Sequence, residues 1–453
     1  MWSLTFTAEQ VILDLAFVSL LLVLATMLRR RVGFLQRYFV PNCLVAGVIG
    51  FSLGPGILDL LPISTERMGV YVYHLLALTF IAVGLRGRAT TSRAALHNGF
   101  IQILVFAVQT VIGLAIVSLV VLLIQPTLAP ALGMLLTLGF GMGPGVAYAV
   151  GQSWEALGVE GAGSVGLTLS TAGFLVAYGT GIALVNRGIR RGEVGIEGQS
   201  SEAVRTGFVE DSTPEPAGML TTSSAAIDAL SLHVAVVGVV YLITFGLVSL
   251  AADGLVRAGL EREVPTLWSF HFIAANLLAL LARRSIDRFA SDRLIDAGLL
   301  NRLTGLCADY LIAASIMAIN VTVIAAYALP ISLLVLVGTP LTYLVVKWAS
   351  RRSFTDHLFE RFIGLYGEMT GTLTSGLALV RVTDPEYETP VAQDLALGSG
   401  VALTLGFPLL ILINLPLTVF AGSWTGYAVV AGVLIVYAAG LLLAWRRFGF
   451  RWG

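Results

Sequence analysis

Apolar runs long enough to cross a bilayer recur from one end of this chain to the other. A helix needs about 20 predominantly apolar residues to span the hydrocarbon core. Such runs lie near 11–28, 39–59, 70–85, 99–124, 164–186, 230–252, 266–282, 306–327, 329–349, 394–414 and 425–445, eleven in all. Two further apolar stretches, near 131–153 and 362–382, are too rich in Gly, Pro, Thr and Ser to make good spanning helices. Only 12% of the 453 residues are charged and 57% are hydrophobic, against about 25% charged in a soluble domain. The expected fold class is therefore an all-α polytopic membrane protein. The first run is followed by Arg29, Arg30 and Arg31 without a small-residue cleavage site, and reads as a retained span rather than a signal peptide.

Several function classes drop out. Lys347 is the only lysine and no glycine loop precedes it, so there is no Walker A phosphate loop. The five histidines are scattered, and Cys43 and Cys307 are lone thiols in apolar runs, so neither a zinc site nor a disulfide framework is expected. The 27 basic and 27 acidic residues balance, which gives no reason to expect nucleic acid as a partner. No enzyme activity and no organic cofactor are expected.

Charge placement sets an expected topology. With the N-terminus outside and both broken stretches entering and leaving on one side, 23 basic residues fall inside. Only Arg67, Arg257 and Arg262 fall outside, with Arg381 at the end of the second broken stretch. That bias is the positive-inside pattern, and it collapses if either broken stretch crosses the membrane fully. The expected organisation is a first repeat over 1–188, a flexible cytoplasmic linker over 189–229, a second repeat over 230–420, and an additional transmembrane helix with a basic cytoplasmic tail over 421–453. Each repeat has five spans, with its re-entrant hairpin between the fourth and fifth, at about 131–153 and 362–382. Val40-Pro41-Asn42 and Val264-Pro265-Thr266 open corresponding spans. The halves start on opposite sides, so the repeats are inverted. Interrupted helices in inverted repeats mark secondary transporters, with the site where the interruptions meet.

The broken stretches carry the candidate site. In the first, Gly139, Gly141, Gly143 and Gly145 alternate, with Pro144 among them. Glycines there permit unusual backbone angles and close approach of backbone to ligand. Exposed N–H groups at a helix start favour an anion, and unwound carbonyls favour Na⁺. The second stretch offers Thr370, Gly371, Thr372, Thr374, Ser375 and Gly376, whose hydroxyls are hard oxygen donors of the kind sodium takes. Arg381 follows, with a planar fork suited to a carboxylate, or else an interfacial role beside Asp384 or Glu386. Candidate substrate contacts are thus Gly141, Gly143, Pro144, Gly145, Thr370 to Gly376 without Leu373, and Arg381. Candidate ion-coupling residues are the intramembrane acids Asp309 and Glu368 and the span amides Gln109, Asn320 and Asn414, which are otherwise interhelical glue. A Na⁺ site is expected, with no ligand set assigned.

At these residues the chain resembles the bacterial glutamate:sodium symporter family. Phe34-Leu-Gln-Arg-Tyr-Phe-Val-Pro41 with Val45-Ala-Gly47 is similar to its basic segment and second span. Gln109 with Ile112-Gly113, and Thr137-Leu138 with Gly141, Gly143, Gly145 and Ala147, are similar to its fourth span and first hairpin. Thr171, Gly173 and Asn414 match later helices. Where the family's hairpin has Ser, Gly, His and Thr, this chain has Gly139, Phe140, Met142 and Pro144. The resemblance implies inverted repeats, re-entrant hairpins, a homodimer in the bacterial inner membrane and an elevator-like movement. The expected function is sodium-coupled symport of glutamate or a related small carboxylate. The alternatives are a proton-coupled di- or hydroxycarboxylate transporter and, outside transporters, an ion channel or an intramembrane enzyme using Asp309 and Glu368.

Overall fold

The structure is a computed structural model and describes residues 7–87, 92–194, 218–289, 294–385 and 387–447. These residues are helical, with no strand among them. The main helices are α1 (Ala8–Arg31), α2 (Asn42–Leu53), α3 (Thr65–Leu85), α4 (Arg93–Leu123), α5 (Pro144–Glu155), α6 (Ala162–Arg190) and α7 (Ala229–Arg257). They continue with α8 (Val264–Ser269), α9 (His271–Phe289), α10 (Ala297–Met317), α11 (Ala328–Ser353), α12 (Leu358–Thr370), α13 (Leu373–Thr383), α14 (Val391–Leu412) and α15 (Trp424–Arg446). Side chains of Ser64, Ser92, Asp228, Asp296 and Ser423 accept from the first-turn amides of α3, α4, α7, α10 and α15. These caps fix where polar loop gives way to apolar helix.

Eight of the described helices are long and apolar enough to cross a membrane, and the pair around Phe270, bent by 58°, makes up to nine. That is fewer than the eleven runs in the sequence, for local reasons. The run at 39–59 forms only the 12-residue α2, because Gly54, Pro55 and Gly56 end it. The run at 306–327 belongs to a helix that starts earlier, at Ala297, and stops at Met317, with a short helix, Val321–Ala326, beginning anew after Asn320. The run at 266–282 is split by the bend at Phe270. Most of the expected linker, residues 195–217, lies outside the described residues; α6 itself runs to Arg190, just past the expected boundary.

The helices sort into two bundles, each drawing on both halves of the chain. In the first, α3 packs on α9 and α10, α10 on α2, α1 on α2, and α7 on α9. In the second, α4 packs on α11, α14 and α15, α12 on α13 and α11, and α5 and α12 on α6. Contacts between the bundles run largely through α5, which meets α8 and α3. The outward sides of α1 and α7 are apolar and exposed, as at Leu20, Met27, Leu242 and Leu250, which is what bilayer-facing helices require. The last helix belongs to the second bundle. Its Trp445 is fully buried, donates from Nε1 to His97 Nδ1 at 2.6 Å and stacks on Phe100.

Candidate functional site

Both broken stretches lie inside the second bundle. The first runs through a 3-10 turn, Pro130–Met134, a single α-turn, Leu135–Thr137, and a π-turn, Leu138–Met142, to Gly143, where α5 starts. Thr127 and Ala129 before it and Gly158 and Glu160 after it line one cavity. The second is α12, a break at Gly371 and Thr372, and α13. Its arms touch closely: a Cβ on Gly376 would lie 2.5 Å from the Gly364 carbonyl oxygen, and one on Gly364 would lie 2.7 Å from Val380.

The two tips meet. Gly143 has φ 85° and ψ 171°, a combination open essentially only to glycine. Pro144 follows as the first helical residue, where its missing N–H costs nothing. A Cβ on Gly143 would lie 2.9 Å from Thr372 Cγ2. The N-terminus of α5 and the N-terminus of α13 therefore converge, and neither has a side-chain cap. Each start leaves backbone N–H groups without helical partners and carries the positive end of a helix dipole. Two such starts facing one point favour an anion.

Acceptor oxygens without partners line the same region. Thr372 Oγ1 and Gln109 Oε1 are buried and make no hydrogen bond. Gln109 sits on α4, and its Nε2 donates to Thr342 Oγ1 at 2.9 Å and to the Met369 carbonyl at 3.1 Å. Its Oε1 lies 3.4 Å from where a Cβ on Gly141 would be, so this amide bridges the first tip and α12. Buried polar atoms are normally satisfied, and two orphans beside two helix starts make a polar site in an apolar bundle.

The remaining sequence candidates divide. Gly141 and Gly145 are packing positions here, since a Cβ would come within 2.5 Å of Phe106 or Leu76. Thr370 donates to the Tyr366 carbonyl within its own helix, at 2.7 Å, and Thr374 is exposed on the first turn of α13. Glu368 is buried, accepts a hydrogen bond from Gln102 and lies against Ser399 Oγ. Arg381 is not at the tips. It lies nine residues beyond Thr372, about 13 Å along the helix, and its guanidinium sits over the Tyr387 ring at 5.6 Å. Asp384 instead accepts from Glu388 and Thr389. Arg381→Lys is accordingly expected to change anion binding less than about 2-fold, since no fork is used there; calorimetry on purified protein checks this.

Asp309 lies on α10 in the other bundle, beside the Cys43 thiol. Asp309 and Glu368 thus lie in different bundles. Asn320, expected within a span, is a helix cap: its Oδ1 accepts from Thr322 N and Oγ1. Asn414 is structural glue, accepting from Trp154 Nε1 at 2.7 Å and donating to the Leu410 carbonyl at 2.8 Å. Sequence reasoning missed Gln102 and Ser399. Gln102 had a signal, lying seven residues before Gln109 and so on one face of α4; Ser399 had none. Among the described residues no group of three or more His, Cys, Asp or Glu side chains is placed to hold a metal ion. No protein-family model, curated protein or solved structure matches the chain.

Proposed function

We propose that this protein is a sodium-coupled secondary active transporter of a small carboxylate, with L-glutamate the first substrate to test. The observation that carries the reading is the meeting of Gly143 and Thr372, which brings two uncapped helix starts together inside one bundle. The carboxylate sits between these starts, on the N–H groups and dipoles of α5 and α13. The orphan oxygens of Gln109 and Thr372 are donors suited to a hard, weakly held cation such as Na⁺.

The two-bundle arrangement supports an elevator-like cycle, in which the bundle holding both tips slides against the bundle of α1–α3 and α7–α10. Reciprocal packing supports an inverted repeat: α2 lies on α10 while α9 lies on α3, and α1 lies on α2 while α7 lies on α9. In this reading both hairpins are re-entrant, the N-terminus is outside, the C-terminus is cytoplasmic, and two copies form a dimer in the bacterial inner membrane.

Topology has its own test. With Cys43 and Cys307 replaced by serine, Thr127→Cys and Glu160→Cys are each expected to react with an impermeant thiol reagent from outside. Both residues are exposed and border one cavity. Labelling of only one from that side contradicts a re-entrant first hairpin. Function is tested in proteoliposomes. An inward Na⁺ gradient is expected to concentrate labelled L-glutamate or another small carboxylate above its outside level; equilibration alone, or unitary currents without accumulation, contradicts coupled transport.

A further inference from the structure

Glu368 lies three residues before the break at Gly371 and is 3% exposed. Its Oε2 accepts from Gln102 Nε2 at 3.0 Å, and its Oε1 lies 2.5 Å from Ser399 Oγ. Ser399 Oγ also lies 3.0 Å from the Leu395 carbonyl one turn earlier in α14. A hydroxyl has one hydrogen to give. Serine hydroxyls in helices commonly give it to that carbonyl. The short contact with Glu368 then needs a second hydrogen, and a protonated carboxyl supplies it.

The charges around α12 point the same way. α4 brings Arg93 and His97, and His97 is bonded by Trp445. α6 brings Tyr178, and α11 brings Tyr343 and Lys347, which bond each other. α13 brings Arg381, which covers Tyr387, and α14 brings Asp394, which holds Arg361. Glu360 and Arg361 share the first turn of α12 itself. None of the described ion pairs involves Glu368, and an isolated ionised carboxylate in such a place is very costly. The Glu368 carbonyl also accepts from Gly371 N, so the residue adjoins the break directly.

We propose that Glu368 is a proton-binding site in the second hairpin, and that a proton crosses the membrane with the anion. In the closed arrangement the carboxyl donates from Oε1 to Ser399 Oγ. When the tips part and water reaches it, the O–H bond breaks, the electron pair stays on Oε1 and the proton passes to water. The second half of this statement rests on the transport reading; the first does not.

Infrared spectroscopy of the purified protein tests the proton site without transport. Wild type at neutral pH is expected to show the C=O band of a protonated carboxyl that Glu368→Gln lacks. Identical spectra overturn the proposal. Should Glu368→Gln fail to fold, Ser399→Ala removes the acceptor, and the band is expected to move to higher frequency; an unmoved band is the contrary result. In liposomes loaded with a pH-sensitive dye, an inward L-glutamate gradient is expected to acidify the lumen in wild type and not in Glu368→Gln. Uptake without acidification in wild type overturns proton symport, whereas absence of any uptake strikes at the transport reading and leaves the infrared result to decide the proton site.

Discussion

Gly143→Ala is expected to abolish uptake while leaving a folded, membrane-inserted protein. The backbone at Gly143 has φ 85° and ψ 171°, and a new Cβ would stand 2.9 Å from Thr372 Cγ2. Holding a residue other than glycine in such a region costs about 1–3 kcal/mol. The steric contact adds to this, because the second tip must withdraw. A penalty of 2–3 kcal/mol is roughly a 30- to 150-fold loss in rate. The bundle core does not depend on this residue, so size-exclusion behaviour and helix content should match wild type. Thr372→Ser in the same chain removes the clashing methyl but not the backbone penalty, so it is expected to recover only part of the loss. Uptake per folded protein is the measurement; a wild-type rate in Gly143→Ala removes the tip from the mechanism.

Arg361→Met is expected to have the largest effect on stability. Arg361 is 2% exposed and lies in the first turn of α12. It donates from Nη1 to Asp394 at 2.9 Å and from Nη2 to Asp356 at 2.8 Å, with its guanidinium over Phe354. Asp394 also accepts from Ser92, the cap of α4, so one buried cluster joins α4, α12 and α14. Removing the cation leaves Asp394 buried and unpaired, which typically costs about 3–5 kcal/mol. Asp394→Asn in the same chain removes the uncompensated charge and is expected to restore part of that loss. Heat inactivation of the detergent-purified protein measures both. An Arg361→Met protein as stable as wild type contradicts a structural role for this cluster.

How much of this was legible in the sequence depends on the range of the interaction. The tips were legible because Gly143-Pro144 and Gly371-Thr372 interrupt apolar runs, and local backbone chemistry follows from local residue type. The end of α2 at Gly54-Pro55-Gly56 has the same local cause, although the expected span ran on to 59. The end of α10 was not legible: the run from 306 to 327 stays apolar while Asn320 starts a new helix, and a cap inside an apolar run resembles a span amide. Arg381 was ambiguous because both of its roles use the same residue type; its position over Tyr387 is decided by the chain's path after α13. The sorting of helices into two bundles, and the pairing of Glu368 with Gln102 and Ser399, join residues far apart in the chain. No local pattern encodes those contacts.

The most direct measurement of a substrate site between the tips is ligand protection at the second one. Thr374 is exposed on the first turn of α13, two residues from Thr372. Thr374→Cys, in a chain with Cys43 and Cys307 replaced by serine, can be labelled with a permeant maleimide in the presence of Na⁺. L-glutamate or another member of a panel of small carboxylates is expected to slow that labelling, while neutral analogues of the same compounds leave it unchanged. A labelling rate that no carboxylate alters, in a variant that remains folded, contradicts an anion site where α5 and α13 converge.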